Sequence, residues 1–246
     1  KDTILYGDCR ETLCAFLPQS ARMCVTSPPY YGLRNYGGED SQIGLEESPE
    51  EYIRNLVEVF REVRNQLTDD GTLWVNIGDS YYNYRPGKGQ ALSKQSVSKT
   101  NQDLPEKCAR RGNKLEGLKE KDLIGIPWMF AFAMRADGWY LRQDIIWNKP
   151  NPMPESVRDR CTKSHEYIFL FSKNQNYHFD VDAIKEPTRR KRSVWTITKK
   201  PYKGAHFAVF PPELIEPCIL AGSEKGDTIL DPFMGSGTTA MVAKKL

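Results

Sequence analysis

The sequence predicts a three-layer α/β fold, in which a mostly parallel, twisted sheet lies between helices on both faces. Three observations predict it. An amphipathic helix that begins near Ser48 separates two short apolar strands, which is the crossover unit of an α/β sheet. Residues Leu123 to Ala136 are apolar nearly all round, which indicates a buried helix. Further along, a short strand runs through a glycine-rich turn into another helix.

The helix after Ser48 carries the clearest local signals. Ser48 can cap it, Pro49 fits its first turn and Glu51 completes a capping box. Apolar side chains then recur at helical spacing, and Asp69-Asp70-Gly71 is expected to break the helix before a strand over Thr72 to Ile77. The other predicted strands are Thr3 to Tyr6, Met23 to Thr26, Tyr140 to Trp147, Glu166 to Phe171 and Thr228 to Leu230, and the other predicted helices run through Leu13 and Phe16, over Pro212 to Ala221 and from Gly235 onward.

The 246 residues are predicted to form one domain, because neither a repeat nor a linker interrupts them. A content of 39% hydrophobic and 27% charged residues is ordinary for a globular protein. No apolar run approaches the roughly 20 residues that span a bilayer, so no membrane partner is expected. The six cysteines include no Cys-x-x-Cys pair and the three histidines lie far apart. We therefore expect no metal site, and reduced thiols in a cytoplasmic setting.

The net charge of +3 conceals an acidic body with two basic segments. Residues 81–121 hold ten Lys or Arg and four Asp or Glu, whereas residues 185–204 hold eight and one. The rest of the chain holds 17 basic and 27 acidic residues. Basic stretches on an acidic body favour contact with a polyanion. Two solvated loops would explain the charge alone equally well.

Two strings carry the chemistry, and the first is Thr26-Ser27-Pro28-Pro29-Tyr30, which directly follows a predicted strand. Consecutive prolines fix the backbone. The Ser27 hydroxyl and the Pro28 carbonyl can accept hydrogen bonds from an amine, and Tyr30 offers a flat face to an extruded base. Taken alone, the string is better interpreted as a proline turn.

The second string, Asp231-Pro232-Phe233-Met234-Gly235-Ser236-Gly237-Thr238, follows a short strand and opens a helix. Its glycines let the backbone approach a ligand, and the N–H groups at the helix start can bind a carboxylate or phosphate. A Gly-x-Gly alone is weak evidence. Dinucleotide folds place the glycine turn immediately after the strand and add a third glycine, so a dehydrogenase is disfavoured.

Together and in this order, the two strings resemble those of DNA amino-methyltransferases that place the catalytic motif before the cofactor motif. The resemblance extends over most of the chain, from Gly7-Asp8 to Thr239. It implies a Rossmann-like methyltransferase fold, S-adenosylmethionine as cofactor and double-stranded DNA as substrate. The implied catalytic residues are Ser27, Pro28, Pro29 and Tyr30, and the residues implied at the cofactor are Asp8, His206, Phe207, Ala208, Phe210, Asp231, Phe233, Gly235, Ser236, Gly237 and Thr238.

The second basic segment lies between the catalytic and cofactor parts, where the resembling family keeps its target-recognition sequence. Trp195 and Tyr202 alternate with its cations, as is typical of nucleic-acid contacts, and residues 81–121 are a second candidate for wrapping the duplex. The predicted DNA-binding residues are Arg189, Arg190, Lys191, Arg192, Lys199, Lys200 and Lys203. The resemblance implies a cytoplasmic, DNA-associated protein of a bacterial, archaeal or phage-infected cell. It leaves open a cognate restriction endonuclease as partner, and a monomer or a homodimer.

Ser27 favours cytosine N4 as the target. In the resembling family a serine at this position usually accompanies cytosine N4 methylation, and an aspartate usually accompanies adenine N6 methylation. Adenine N6 therefore stays an alternative, as does a non-catalytic DNA-binding module that retains the fold. Cytosine C5 chemistry is disfavoured because Pro217-Cys218 lies in an apolar helical stretch. A glutamine methylase of proteins is disfavoured by the basic segments and the motif order.

Two other residues, Asp79 and Trp147, have two interpretations each. Asp79 follows a predicted strand, and it suits either a contact with cofactor or base or a helix cap. Trp147 suits the flipped base or the core, and the core is favoured because apolar aromatic side chains are mostly inside. His165 is interpreted as structural.

Overall fold

The computed structural model describes residues 3–32, 42–82, 115–199 and 210–246. Their helices and strands are, in chain order, α1 (Cys9–Leu13), β1 (Ala21–Thr26), α2 (Pro49–Gln66), β2 (Leu67–Ile77), α3 (Ile126–Ala136), β3 (Tyr140–Asn148), β4 (His165–Ser172), β5 (Val194–Thr196), α4 (Pro212–Gly222), β6 (Ile229–Leu230) and α5 (Thr238–Lys245). Across these ranges, no helix combines the length and the apolar character needed to cross a membrane.

The described strands form one sheet in the order β5-β3-β4-β2-β1-β6. β1 pairs in parallel with both β2 and β6, and β3 pairs in parallel with β5. β4 runs antiparallel to its neighbours β2 and β3. The other five strands therefore all point the same way, and the predicted mostly parallel sheet is confirmed.

The sheet is buried on both faces. On β2, Leu73 and Val75 pack against the side that carries α1, α2 and α3. Trp74 points to the opposite side, where it joins Leu214 of α4 and Val242 of α5. Strands covered on both faces read as nearly continuous apolar runs, as Leu73 to Val75 of β2 and Tyr167 to Phe171 of β4 do. The predicted three-layer arrangement is confirmed.

The start of α2 follows the capping prediction closely. Ser48 is extended (φ −134°), and its hydroxyl accepts a hydrogen bond of 3.1 Å from the backbone N–H of Glu51. The Glu51 carboxylate accepts in return from the N–H of Glu47 at 3.3 Å, one residue before the expected partner. The apolar face of the helix, with Leu56 and Phe60 fully buried, then packs on the sheet.

The predicted break at Asp69-Asp70-Gly71 is wrong, because α2 passes directly into β2 at Leu67 and all three residues belong to that strand. Gly71 is needed there for another reason. A Cβ on it would lie 2.9 Å from both the Leu67 Cβ and the Thr68 carbonyl oxygen. Glycine thus permits a close approach within the strand, at a bulge where β2 pairs with β1 at Leu67 and again from Thr72 onward, with a shift of register between.

Three further boundaries differ from the prediction. Residues Thr3 to Tyr6 form no strand, and Ile4 and Tyr6 are 57% and 91% exposed. α1 ends at Leu13 rather than at Phe16. α5 begins at Thr238, after Gly237 in the left-handed region, and not at Gly235. The short strand β5 was not predicted.

Asp79 caps α3 from a distance. The residue before α3, Gly125, provides no side chain, and the Asp79 Oδ1 accepts instead from the N–H groups of Gly125 and Ile126, both at 3.0 Å. It also accepts from the Ser80 N–H at 2.9 Å. The capping interpretation is therefore the one that the geometry supports, because three backbone donors occupy this carboxylate.

Replacing Asp79 by alanine is expected to destabilise the protein by about 1–3 kcal/mol, since the α3 N–H groups lose their acceptor. Urea unfolding followed by circular dichroism measures the difference. Asp79→Asn keeps the Oδ1 acceptor and serves as the control, with a smaller loss expected. Equal stability of the alanine variant and the wild type would contradict the assignment of the cap.

Candidate active site

The two strings lie at the same edge of the sheet, which we call the carboxyl edge because the five parallel strands end there. β1 ends at Thr26, directly before Ser27, and β6 ends at Leu230, directly before Asp231. Since β1 and β6 are neighbours, the strings are adjacent in space. β4 is antiparallel, so its first residues, His165 and Glu166, lie at this edge as well.

A hydrogen bond joins the two strings directly. The Thr26 hydroxyl, which is fully buried, donates to Asp231 Oδ1 at 2.5 Å. The same oxygen accepts from the N–H of Phe233 at 3.1 Å. The carboxylate is thereby held in one orientation between the catalytic string and the glycine turn.

The residue Asp231 is half-buried, and among the described residues no cation contributes to the balance of charge at its carboxyl group. Burial raises its pKa to about 6, although hydrogen bonds from Thr239, Thr26 and Phe233 partly offset the rise. A buried carboxylate of this kind is suited to a cationic ligand. S-adenosylmethionine carries an ammonium group and a sulfonium group, both positively charged. The carboxylate of Asp231 at this turn therefore fits the cofactor.

The glycine turn leaves room for a ligand. Gly235 and Gly237 have φ values of 53° and 79°, which favour glycine. A Cβ on Gly237 would meet nothing within 4 Å. Ser236 and Thr238 share a hydrogen bond of 3.2 Å between their hydroxyls. Phe233 packs edge-on against Phe60, with ring centroids 6.4 Å apart.

The other predicted cofactor residues lie in different places in the structure. Phe210 is half-buried against the core on the α4 side of the sheet. His206, Phe207 and Ala208 lie outside the described residues. Asp8 caps α1 by accepting from the Arg10 N–H at 2.9 Å and forms an ion pair of 2.5 Å with the Arg10 side chain. The hydrogen bond from the Arg10 side chain lowers the pKa of Asp8, so its carboxylate is already engaged.

Ser27, Pro28, Pro29 and Tyr30 leave β1 along a well-supported path. Pro28 is buried, while Ser27 and Tyr30 are half-buried. Tyr52 of α2 donates its hydroxyl to the Pro29 carbonyl at 2.8 Å, which anchors the backbone of the string. The Pro29 carbonyl is thus occupied, which leaves the predicted acceptors, the Ser27 hydroxyl and the Pro28 carbonyl, as the candidates for a substrate amine.

The Tyr30 side chain is fixed at both ends. Its ring lies on the backbone of Gly78, where a Cβ would stand 2.7 Å from the Tyr30 Cε2 atom. Its hydroxyl donates to Glu166 Oε2 at 2.7 Å, with Asn76 Oδ1 at 3.3 Å. Burial, followed by the charge of Glu166, raises the pKa of Tyr30 well above its usual value, so the hydroxyl stays protonated.

Lys149 completes this polar group. Its ammonium forms an ion pair with Glu166 Oε1 and lies 4.2 Å from the ring centroid of Trp147. Asn76 donates to Glu166 Oε2 at 3.2 Å. Burial alone would raise the pKa of Glu166, but Lys149 and these hydrogen bonds outweigh it, so the pKa is lowered. Glu166 is therefore ionised, although its side chain is only 17% exposed.

The interpretations of Trp147 and His165 agree with their surroundings. Trp147 is 3% exposed, and its indole N–H donates to the Ile197 carbonyl at 2.9 Å, so it is a core residue. His165 packs edge-on against Tyr167 with ring centroids 5.5 Å apart. Burial and the nearby lysines lower the pKa of His165, which favours the neutral ring.

The described part of the second basic segment lies along β5, beside β3. Arg189 pairs with Glu186 at 2.5 Å, Lys191 lies over the Trp195 ring at 5.0 Å, and the Lys199 backbone is bonded to the Asn151 side chain. Trp195 itself is 5% exposed and belongs to the core, so the expectation that it packs on sugar or base is wrong.

Arg190 and Arg192 are both exposed. Lys200, Tyr202 and Lys203 fall outside the described ranges, as do residues 83–114 of the first basic segment.

Cys218 cannot act as a nucleophile where it lies. It is fully buried on α4, and its thiol donates to the Leu214 carbonyl at 3.6 Å. Burial raises its pKa, which suppresses the thiolate. In the described ranges, no group of three or more His, Cys, Asp or Glu is arranged to hold a metal ion.

Cys218→Ala is accordingly expected to leave kcat for methyl transfer at the wild-type value, with a loss of stability of about 1 kcal/mol from the removed thiol. Radiolabelled methyl transfer at saturating S-adenosylmethionine measures kcat. A folded variant without activity would return cysteine-dependent C5 chemistry to consideration.

The three-layer sheet, with a glycine turn and a proline-bounded string side by side at its carboxyl edge, defines a class of protein, the S-adenosylmethionine-dependent methyltransferases. Comparison with known proteins narrows the class. The chain belongs to the N6/N4 family of enzymes described as DNA methylase, whose sequence profile matches residues 21–246. It is a DNA methyltransferase with S-adenosylmethionine as its cofactor.

Two similar relatives are type II methyltransferases. M.Cfr9I of Citrobacter freundii is 50% identical over 248 residues, which cover 99% of this chain and 80% of that protein. M.SmaI of Serratia marcescens is 50% identical over 255 residues, which cover 99% of this chain and 82% of that protein.

Solved structures confirm the fold. The PvuII DNA methyltransferase (cytosine-N4-specific) has a TM-score of 0.71 at 21% identity, over 97% of this chain and 76% of that one. The Thermus thermophilus protein TTHA0409, complexed with S-adenosyl-L-methionine, has a TM-score of 0.63 at 24% identity, over 97% and 82%.

Sequence reasoning missed the polar residues that support Tyr30. Asn76, Lys149 and Glu166 lie at the ends of three different strands, and only the sheet order brings them together. A weak signal existed, since each is a polar residue at one end of an apolar run. The Thr26–Asp231 contact was equally invisible, because its partners are 205 residues apart.

Proposed function

We propose that this DNA methyltransferase transfers a methyl group from S-adenosylmethionine to the exocyclic N4 amine of a cytosine flipped out of duplex DNA, at a specific sequence. The observation that carries the proposal is Ser27, a serine where adenine-directed members of the resembling family usually have an aspartate. The hydrogen bond between Thr26 and Asp231 supports it, because that bond places Ser27 next to the candidate cofactor turn.

The side chains supply alignment and electrostatic stabilisation. An exocyclic amine is a weak nucleophile because its lone pair is delocalised into the ring. Acceptors aimed at its two N–H bonds, the Ser27 hydroxyl and the Pro28 carbonyl, localise that lone pair and stabilise the positive charge that develops on nitrogen. Tyr30 stacks on the flipped base and fixes its plane. S-adenosylmethionine supplies the methyl group when it is bound, and orientation of the amine toward it accounts for much of the rate.

The remaining roles follow from position. We propose that Asp231 binds the cofactor ammonium and that the backbone from Phe233 to Thr238 contacts its carboxylate, with Phe210 and His206 to Ala208 near the same pocket. The cations from Arg189 to Lys203 would contact DNA phosphates. All of these residues would belong to one catalytic domain, with the basic insertions at about 81–121 and 185–204 facing the duplex.

Product analysis tests the proposed target. Methylated DNA is digested to nucleosides, and N4-methylcytosine is identified by mass spectrometry. N6-methyladenine as the only product would overturn the cytosine assignment while leaving the enzyme class intact. Methylation of a random-sequence DNA pool, followed by single-molecule sequencing, reveals the recognition site.

The names of the two relatives indicate a partner protein for this enzyme. Because M.Cfr9I and M.SmaI are type II methyltransferases, we infer a cognate restriction endonuclease that recognises the same sequence, in the cytoplasm of a bacterial or archaeal cell or of a phage-infected one. Size-exclusion chromatography with light scattering distinguishes a monomer from a homodimer.

A further inference from the structure

We propose that Glu166 is a positioning residue for methyl transfer, which acts by holding Tyr30 in the orientation that receives the flipped base. The proposal rests on the function proposed above and assigns a role to the polar group beneath the Ser-Pro-Pro-Tyr string. The ion pair with Lys149 keeps Glu166 ready to accept the Tyr30 hydrogen bond.

The two carboxylate oxygens of Glu166 have different partners. Oε1 faces the Lys149 ammonium. Oε2 accepts from the Tyr30 hydroxyl at 2.7 Å and from the Asn76 amide at 3.2 Å. Asn76 is in turn fixed, because its amide also donates to the Tyr167 carbonyl at 3.1 Å. All the donors therefore converge on one carboxylate whose side chain is only 17% exposed.

This arrangement restricts the tyrosine ring. A stacking side chain with a free hydroxyl can tilt and rotate, and the base must then order it during binding. Here the Gly78 backbone supports one edge of the Tyr30 ring, and Glu166 holds its hydroxyl at the far end. The ring plane is set before the base arrives, so the ordering cost is not added to the barrier of the reaction.

A glutamine at position 166 cannot reproduce these contacts. If its carbonyl oxygen faces Lys149, its NH₂ group faces the Asn76 amide and the Tyr30 hydroxyl, and two donors oppose each other. If the amide is turned over, its NH₂ group faces the ammonium instead. Either orientation leaves a mispaired polar group in a buried site, which costs more than a lost hydrogen bond.

The first experiment is a double-mutant cycle on kcat at saturating S-adenosylmethionine and DNA. Glu166→Gln is expected to lower kcat by about 10–100-fold, the value of a hydrogen bond to a charged group. Tyr30→Phe removes the hydroxyl and is expected to lose a similar factor. If Glu166 acts through Tyr30, then adding Glu166→Gln to Tyr30→Phe lowers kcat no further. Multiplicative losses in the double variant would overturn the proposal.

A merely structural role of Glu166 predicts a different pattern. Its loss would lower the melting temperature and weaken S-adenosylmethionine binding together with kcat. The proposal instead expects kcat to fall while the Kd for S-adenosylmethionine stays at the wild-type value. Calorimetry on the same variants separates the two outcomes.

The second experiment removes the cation and examines pH, which keeps the proposal testable if Glu166 variants fold poorly. In Lys149→Met, burial acts on Glu166 with less opposition, so the pKa of Glu166 rises. The other groups that face it are Tyr30, Asn76, Lys163 and His165, of which Lys163 retains part of the balancing charge. A protonated Glu166 carries its proton on Oε1 and leaves Oε2 an uncharged and therefore weaker acceptor for both donors, so kcat is expected to fall as the pH decreases and to recover as it increases.

Lys173→Met is the matched control. Lys173 follows β4 at the opposite edge of the sheet, pairs with Asp69 and has a side chain 16% exposed, compared with 13% for Lys149. Its kcat should vary with pH as that of the wild type does. Identical pH profiles for both methionine variants would refute the role of Glu166. An inactive wild-type protein would instead refute the proposed function, so the two failures are distinguishable.

Discussion

Replacing Ser27 by alanine is expected to lower kcat for methyl transfer by about 10²–10³-fold, the loss typical of removing one hydrogen-bonding group that stabilises a transition state. The Ser27 hydroxyl is one of the two acceptors proposed for the amine. Its side chain is half-buried and lies outside the core, so the fold is expected to persist. Single-turnover methylation at saturating cofactor and DNA measures the chemical step directly.

Ser223→Ala provides the matched control for this change. The Ser223 hydroxyl donates to the Ile219 carbonyl at the end of α4, so the same atom is removed at a site unrelated to the proposed pocket. Its kcat is expected to equal that of the wild type. If Ser27→Ala were equally active, Ser27 would be a turn residue and the proposed amine pocket would be wrong.

Replacing Asp231 by asparagine is expected to weaken S-adenosylmethionine binding by about 10–100-fold, because a charge-assisted hydrogen bond to the cofactor ammonium is lost. The same change should make the cofactor-free protein more stable at neutral pH. Burial raises the pKa of Asp231 to about 6, so ionising this carboxyl opposes folding. Asparagine retains the oxygen that accepts from Thr26 and Phe233.

The pH dependence of cofactor binding has a definite sign. Because its folded pKa is raised, Asp231 stabilises the cofactor-free fold in acid, and this contribution is lost as the pH rises through about 6. Binding of the ammonium requires the ionised form, so the affinity of the wild type should fall by about tenfold per pH unit below the pKa.

Calorimetry between pH 5 and 8 checks this dependence, and Asp231→Asn should lack it. Asp180→Asn is the control, since the Asp180 Oδ1 accepts from two backbone N–H groups in an exposed turn. It should bind S-adenosylmethionine as the wild type does. A wild-type affinity that is flat across the range would contradict the proposed role of Asp231.

The fold was predictable where local signals and tertiary packing agree. The cap at Ser48 and the apolar spacing of α2 located that helix, and the apolar runs located β2 and β4. The prediction failed where the sheet accommodates a local signal. Asp69-Asp70-Gly71 is typical of a turn, yet β2 continues through it as a bulge, because pairing with β1 holds Leu67 before it and Thr72 after it. The strand predicted over Thr3 to Tyr6 has suitable residues, yet this segment does not belong to the sheet that the described strands form.

The candidate site was predictable in its two strings, because each follows a strand and carries residues whose chemistry is specific. The supporting contacts were not. Glu166 is 136 residues from Tyr30, and Thr26 is 205 residues from Asp231. Such contacts depend on which strands are neighbours in the sheet, and no local pattern encodes that order.

The adjacency of β1 and β6 has a consequence for the architecture of the gene. The pocket depends on two neighbouring strands ending at the same edge, and the sheet is indifferent to which of them is synthesised first. A circular permutant that begins with the cofactor half and ends with the catalytic half would rebuild the same pocket. The linear order of the motifs is therefore expected to impose no constraint on the chemistry of the pocket.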